Sequence, residues 1–212
     1  MTLFFDKSIT ETTEQFSFSK EESKHLAKVI RKKVGETITV TNGNGLEWIG
    51  ELSVVSPTKS VAERKQTQLH QPKAAQIHLA IAPTKNNSRM EWLVEKLTEL
   101  GIQSIHPILC KRSERKVIKK ERFEKIAISA LKQSQQFFLP QIDDVIPFST
   151  FIKNIQGSAV IAHCEDTPKM LLASRTEPKT SITILIGPEG DFSPEEIDLA
   201  QSSKIESVSL GK

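Results

Sequence analysis

The segment Ile186-Gly187-Pro188-Glu189-Gly190-Asp191-Phe192-Ser193 holds the densest potential chemistry in the sequence. An apolar run leads into it, and Ser193-Pro194-Glu195-Glu196 has the spacing of a capped helix start, so it reads as a strand-to-helix loop. Its two glycines allow backbone to approach a ligand closely. Glu189 and Asp191 set carboxylates near a helix N-terminus, where a phosphate would compete with them, and the loop lacks the Lys of a phosphate loop. A cationic or neutral ligand suits it better. The same octapeptide also fits a plain turn with a favourable acidic first helical turn.

Other reactive residues are more scattered. His163-Cys164-Glu165-Asp166 follows a second apolar run, but sequence neighbours at a strand end point to opposite sides, which argues against a nucleophile beside its base. Residues 111–125 carry Lys111, Arg112, Arg115, Lys116, Lys119, Lys120, Arg122 and Lys125 against three glutamates, the composition of a phosphate-contacting surface or of a solvated helix face. Arg31-Lys32-Lys33 closes an early helix, either complementing its dipole or touching a phosphate backbone. Cys110 and Cys164 belong to no paired spacing, so they read as small core or near-core residues. No dinucleotide glycine fingerprint, Walker loop, HExxH or nucleophile elbow occurs.

The elements that must position these residues divide into two patterns. Residues 37–41 and 48–55 alternate like strands around Asn42-Gly43-Asn44-Gly45, which predicts a hairpin. Ser19 to Glu22 has capping-box spacing, and Leu26, Val29 and Ile30 supply an apolar stripe for a short helix. Residues 66–73 turn polar and read as a linker, giving a β-rich domain over 1–70 and a second over 74–212. In the second, strands at 77–81, 102–109, 159–162, 182–186 and 205–210 alternate with helices. Ser88 to Glu91 has capping-box spacing for a helix ended by Gly101; others run over 120–136 and 148–155, and a last one is capped at Ser193. This is an α/β fold with a largely parallel sheet, whose ligands bind beyond the carboxyl ends of strands. The loops after Ile81, Ala162, Ile186 and Leu210 are therefore the places to look.

Composition narrows the class. The 212 residues are 37% hydrophobic and 26% charged, enough apolar material to fold. A net charge of +3 argues little about a partner, yet residues 73–136 carry 13 basic and 6 acidic side chains while 137–212 carry 6 and 11. No apolar run approaches the roughly 20 residues of a membrane span, and the acidic start is unlike a targeting peptide, so a soluble cytoplasmic protein is expected.

Together these segments resemble the ribosomal RNA uridine-N3 methyltransferases of the SPOUT (trefoil-knotted) class, the RsmE family acting on 16S rRNA. His25-Leu26-Ala27-Lys28-Val29-Ile30-Arg31 is similar to that family's His...Val-Leu-Arg segment, and Glu95-Lys96-Leu97-Thr98-Glu99-Leu100-Gly101 to its Gln-Lys...Glu-Leu-Gly helix. Arg112-Ser113 comes next, and Lys132-Gln133-Ser134 stands near its Glu-Gln-Ser. Residues 186–193 with Glu196 match Ile-Gly-Pro-Glu-Gly-Gly-Phe-Ser...Glu, the most specific piece, with Asp191 replacing the second Gly. Gln135-Gln136-Phe137-Phe138 stands where many members are basic. The chain stops at Ser209-Leu210-Gly211-Lys212, where the family continues into Leu-Arg-Thr-Glu-Thr and a final helix, so the C-terminal end is expected to be incomplete.

The resemblance implies an N-terminal PUA-like β-barrel that helps hold RNA, and a C-terminal knotted α/β domain that binds S-adenosylmethionine and dimerises. Cofactor contacts would come from three loops: His163, Cys164 and Glu165; Ile186, Gly187, Pro188, Glu189 and Gly190; and Ser209, Leu210 and Gly211. Glu99 and Arg112 are the candidates for the substrate cleft, Glu99 as acceptor and Arg112 as base or phosphate contact. Arg31, Lys85, Arg89, Arg112, Arg115 and Lys116 are the candidate RNA contacts. No metal is expected, and the partner is 16S rRNA or the small ribosomal subunit. The competing reading is an inactive RNA-binding or ribosome-associated module of the same fold.

Overall fold

The computed structural model describes residues 2–174 and 181–211; Lys212 lies outside them. The chain forms two compact units, residues 1–72 with 131–139, and residues 73–130 with 140–212.

In the first unit, β1 (Leu3–Phe5), β2 (Gln15–Ser17), α1 (Lys20–Lys24), β3 (Thr37–Thr41), β4 (Leu46–Val54) and β5 (Val61–Leu69) follow in order. The strands make one sheet, β1-β3-β4-β5-β2, antiparallel except for β1 with β3. Its core gathers Phe4, Ile9, Phe18, Leu26, Ile38, Val40 and Trp48. Trp48 is fully buried, donates from its indole N–H to Thr13 O at 2.8 Å, and lies so close over Gly50 that a Cβ there would be 2.2 Å from the ring.

Two expectations change here. Residues 66–69 belong to β5, not to a linker: they pair with Leu46 to Ile49 of β4, so ladder bonds hold them while their side chains stay mostly polar and exposed. Ser19 does cap α1, accepting the Glu22 N–H, but from His25 to Ile30 the helix widens into a π turn that swings Val29 out to 68% exposure. The Gln135 to Phe138 stretch closes onto the 42–45 turn: Gly45 N–H donates to Phe137 O (2.9 Å), Leu139 N–H to Gly43 O (2.8 Å), and Phe137 stacks on His70.

The second unit runs β6 (Ile77–Ile81), α2 (Asn87–Leu100), β7 (Ser104–Leu109), α3 (Lys120–Ser134, its last turn in the first unit), β8 (Gln141–Ile142), β9 (Ile146–Pro147), α4 (Phe148–Asn154), β10 (Ser158–Ala162), β11 (Met170–Leu171), β12 (Ile182–Ile186), α5 (Pro194–Ser202) and β13 (Glu206–Ser209). Every strand pair is parallel, in the order β11-β13-β10-β12-β6-β7-β8, with β9 also on β7. Ala80, Ile108, Ile161 and Leu185 share one face and pack against Phe148, Phe151 and Ile152 of α4 and Ile197 of α5. Leu79, Ile105 and Val160, one residue out of phase, are buried on the other.

Helix ends follow local chemistry. Gly101 ends α2 at φ 78°, donating to Leu97 O and Thr98 O. The cap of α2 is Asn86, not Ser88: its side chain accepts the Ser88 N–H at 2.8 Å, so the helix starts earlier than the Ser88 spacing suggested. Ser193 and Glu196 form a reciprocal capping box at α5, with Pro194 at its first position. No helix among the described residues is long and apolar enough to cross a membrane.

Candidate functional site

A cavity of about 470 Å³ opens where β10, β12 and β13 end, within the size range of small-molecule sites. Its wall is built from three loops: Ala162, His163 and Cys164 after β10; Ile186, Gly187, Pro188, Glu189 and Asp191 after β12; and Val208 to Gly211 after β13. Lys169 completes it. Glu165 and Gly190 flank the lining instead of forming it. The loop after Ile81 contributes no wall, but its Lys85 N–H donates to Glu189 Oε1 at 2.9 Å.

Charged side chains clasp the loops after β6, β10 and β12. Arg112 Nη1 donates to Gly190 O (2.9 Å) and Phe192 O (3.1 Å), so its guanidinium braces the β12 loop. Glu196, besides closing the capping box, accepts the Lys111 N–H at 2.8 Å, which ties the loop after β7 to the start of α5. Arg115 donates to Thr84 O and Lys85 O (3.1 and 2.7 Å). Lys169 Nζ donates to His163 O at 2.8 Å and to Glu165 O. Asp191 Oδ2 accepts the Cys164 N–H at 2.7 Å.

Two features mark the cavity as built for a ligand. A Cβ on Gly187 would lie 3.0–3.1 Å from the ring and backbone of the fully buried Phe192, so glycine lets this segment of the wall pack closely on the core. His163 is 6% exposed and, among the described residues, neither ring nitrogen has a hydrogen-bond partner. Burial pushes the His163 imidazole below its ordinary value, with the Lys169 charge adding to the effect, so the ring is neutral at physiological pH. The Lys85 N–H and the Glu189 backbone hold the Glu189 carboxyl below the usual range, keeping it an anion.

The structure does not bring Glu99 and Arg112 together. Glu99 sits in the last turn of α2 and pairs with Lys96 at 2.9 Å. It lies at the edge where strands begin, about 20 Å of helix away from the edge where they end. Arg112, a permanently charged cation engaged with two carbonyls, braces a loop and cannot act as base. Among the candidate RNA contacts, Lys85 pairs with Glu114 at 2.9 Å and Arg115 is bound to carbonyls, while Arg89 and Lys116 are exposed. Arg31 is an exposed left-handed residue (φ 59°) in the first unit. Cys110 is buried, its thiol pushed up to about 12 by that burial; Cys164 is exposed, contrary to the expected core position. Sequence reasoning missed Lys169 and Asp191 as wall residues. Asp191 left a trace, an acid where the motif has Gly; Lys169 left none.

Among the described residues, no group of three or more His, Cys, Asp or Glu side chains could hold a metal ion. Residues 71–212 match the model of an RNA methyltransferase domain, and residues 18–63 that of an RNA methyltransferase PUA domain. The chain is 28% identical over 191 residues to ribosomal RNA small subunit methyltransferase E of Rickettsia conorii, covering 88% of this chain and 78% of that one. A probable rRNA-methyltransferase from Porphyromonas gingivalis superposes with a TM-score of 0.91 at 33% identity, over 100% of this chain and 90% of that one. Ribosomal RNA small subunit methyltransferase E of Neisseria gonorrhoeae, bound to S-adenosyl methionine, shares the fold at a TM-score of 0.87 and 24% identity, over 100% and 90% of the two chains.

Proposed function

This chain belongs to the RNA methyltransferase family, and from that premise we propose that it methylates N3 of a uridine in 16S ribosomal RNA, using S-adenosylmethionine. The observation that carries the reading is the cavity at the ends of β10, β12 and β13, inside the matched domain.

The wall suits the cofactor. S-adenosylmethionine carries a sulfonium and an ammonium against one carboxylate, a net cation. Glu189 and Asp191 supply two negative charges to the wall and Lys169 one positive charge, a complementary balance. His163, Cys164, Gly187, Pro188, Glu189, Ser209, Leu210 and Gly211 would hold it, with Ile186 behind them and Glu165 and Gly190 shaping their loops. Bound there, the cofactor supplies an electrophilic methyl group. The protein must orient the uracil in line with that methyl and accept the N3 proton. Arg112, Lys169 and Asp191 hold the loops in register so that the cavity needs little reorganisation on binding.

Lys85, Arg89, Arg112 and Lys116, all exposed, and the half-buried Arg115 are the cations assigned to phosphate in the methyltransferase unit, and Arg31 the one assigned in the unit with the PUA match. Assembly as a homodimer through the C-terminal domain, a trefoil-knotted chain path and a cytoplasmic site of action on the small subunit belong to the same reading, supported by the family resemblance.

The test is transfer of labelled methyl from S-adenosylmethionine to small ribosomal subunits and to free 16S rRNA, followed by nucleoside analysis. N3-methyluridine in either substrate is the expected product. Cofactor binding without methyl transfer to either substrate would favour the inactive RNA-binding module.

A further inference from the structure

We propose that Asp191 is a positioning residue whose carboxylate latches the loop after β12 to the loop after β10, fixing the width of the cofactor cavity. The inference rests on the S-adenosylmethionine reading of that cavity.

Asp191 occupies a left-handed backbone position, φ 63°, which glycine adopts freely and an L-residue adopts at a cost. What offsets that cost is the side chain. Oδ1 accepts the Phe192 N–H at 2.8 Å and Oδ2 accepts the Cys164 N–H at 2.7 Å, so each carboxylate oxygen has a backbone donor. The first bond stays within the turn. The second spans 27 residues of sequence and joins two walls of one cavity.

The opposite side of the β10 loop is held by Lys169, through the carbonyls of His163 and Glu165. The loop is thus fixed by an anion on its N–H side and a cation on its carbonyl side, and both side chains also line the cavity. Between these anchors sits His163, buried and unpartnered, whose ring can meet a ligand only if the loop keeps its place. A glycine at 191 would relax the backbone while freeing the Cys164 N–H. An asparagine would keep one acceptor oxygen but turn an NH₂ toward the second N–H, so it should restore part of the function.

The experiment combines S-adenosylmethionine titration calorimetry with hydrogen exchange at the Cys164 amide in ligand-free protein, on wild type, Asp191→Gly and Asp191→Asn. Loss of a charge-assisted hydrogen bond predicts cofactor affinity about ten- to a hundredfold weaker in Asp191→Gly, with Asp191→Asn between it and wild type. Exchange at Cys164 should quicken in the same order. Wild-type affinity in Asp191→Gly, or no rescue by Asp191→Asn, would overturn the proposal. If wild type binds no S-adenosylmethionine, the cofactor reading itself falls; the latch is then judged on Cys164 exchange alone, and unchanged exchange in Asp191→Gly would overturn it.

Discussion

The two edges of the parallel sheet carry polar clusters of opposite character. Where strands begin, Ser104, His106 and Asp143 reproduce the spacing of a hydrolytic triad: Ser104 Oγ to His106 Nε2 is 2.6 Å and His106 Nδ1 to Asp143 Oδ2 is 2.7 Å. His78 Nδ1 adds a third contact, 2.6 Å from the same hydroxyl. A hollow of about 440 Å³, lined by His106 and Asp143, lies alongside, nearly as large as the cavity where strands end. Cavity size and residue types therefore do not separate the two edges. Hydrogen-bond satisfaction does. The Asp143 carboxylate can only accept, so His106 donates to it from Nδ1 and accepts the Ser104 hydroxyl at Nε2, leaving Ser104 to accept from His78. Ser104 is 4% exposed with its hydroxyl committed on both sides, and it does not line the hollow. Where strands end, neither ring nitrogen of His163 has a partner among the described residues, and Gly187 lets the wall beside it pack closely on Phe192. A closed chain of bonds reads as structure; an orphaned ring beside a glycine cradle reads as a place for a ligand.

Alanine at the two glycines of the loop after β12 gives the sharpest test. Gly187→Ala puts a Cβ 3.0 Å from the fully buried Phe192 ring, tighter than an ordinary contact, so ring or loop must shift. Overpacking of this kind costs about 1–3 kcal/mol, so S-adenosylmethionine affinity should fall about ten- to a hundredfold by calorimetry. Gly190→Ala meets only Arg112 side-chain carbons at 3.5–3.6 Å, an ordinary contact, and should stay within about threefold of wild type. The reverse ranking would mean that the cradle is misassigned.

Ser104→Ala probes the opposite edge. It leaves His78 Nδ1 and His106 Nε2 facing each other without the hydroxyl, a loss of about 1–3 kcal/mol in denaturant unfolding. Cofactor affinity and methyl transfer should stay at wild-type levels, and a fluorophosphonate probe should label no residue there. Labelling at Ser104, or lost transfer with unchanged stability, would break the contrast between the edges.

Arg112→Ala distinguishes a loop brace from a phosphate contact. With two carbonyls released, cofactor affinity should drop up to about tenfold even without RNA. If Arg112 instead contacts phosphate, RNA affinity would lose salt sensitivity and cofactor binding would not change.

The contrast between the edges also explains what the sequence could reveal. The α5 start was legible because Ser193, Pro194 and Glu196 act within one turn, and the parallel sheet because short runs rich in Ile, Leu, Val and Ala alternate with helical patterns. The loops of the cavity followed from the rule that ligands sit at strand carboxyl ends. What stayed hidden is long-range. The Asp191 to Cys164, Arg112 to Gly190 and Ser104 to His78 bonds span 27, 78 and 26 residues, and no local spacing announces them. Glu99 went to the wrong edge because sequence proximity to β7 says nothing of direction: a helix leaving the carboxyl edge of a strand ends at the opposite one. β5 was missed over 66–69 because backbone bonds to β4 hold that end of the strand and ask for no apolar pattern in its side chains.

The smallest expected effect is the dependence on pH, and here too the edges should part. Burial pushes both His163 and His78 below the ordinary imidazole value of 6.5, with the Lys169 charge adding to the first and His106 to the second. Well above 6.5 both rings are neutral in folded and unfolded chains and add no pH dependence. As pH falls through 6.5 the unfolded chain takes up protons first, so stability declines until the lower folded values are reached. The thermal midpoint should therefore drop between pH 7.5 and 5.5, and either His163→Phe or His78→Phe should flatten part of that slope. Cofactor affinity responds differently. His163 stands in the cavity wall, where its protonation sets a charge against a net cationic ligand, so affinity should weaken on acidification and lose that trend in His163→Phe. His78, bonded to Ser104 at the other edge, should leave the affinity profile unchanged. An affinity profile that moves with His78 and ignores His163 would place the ligand at the edge where strands begin.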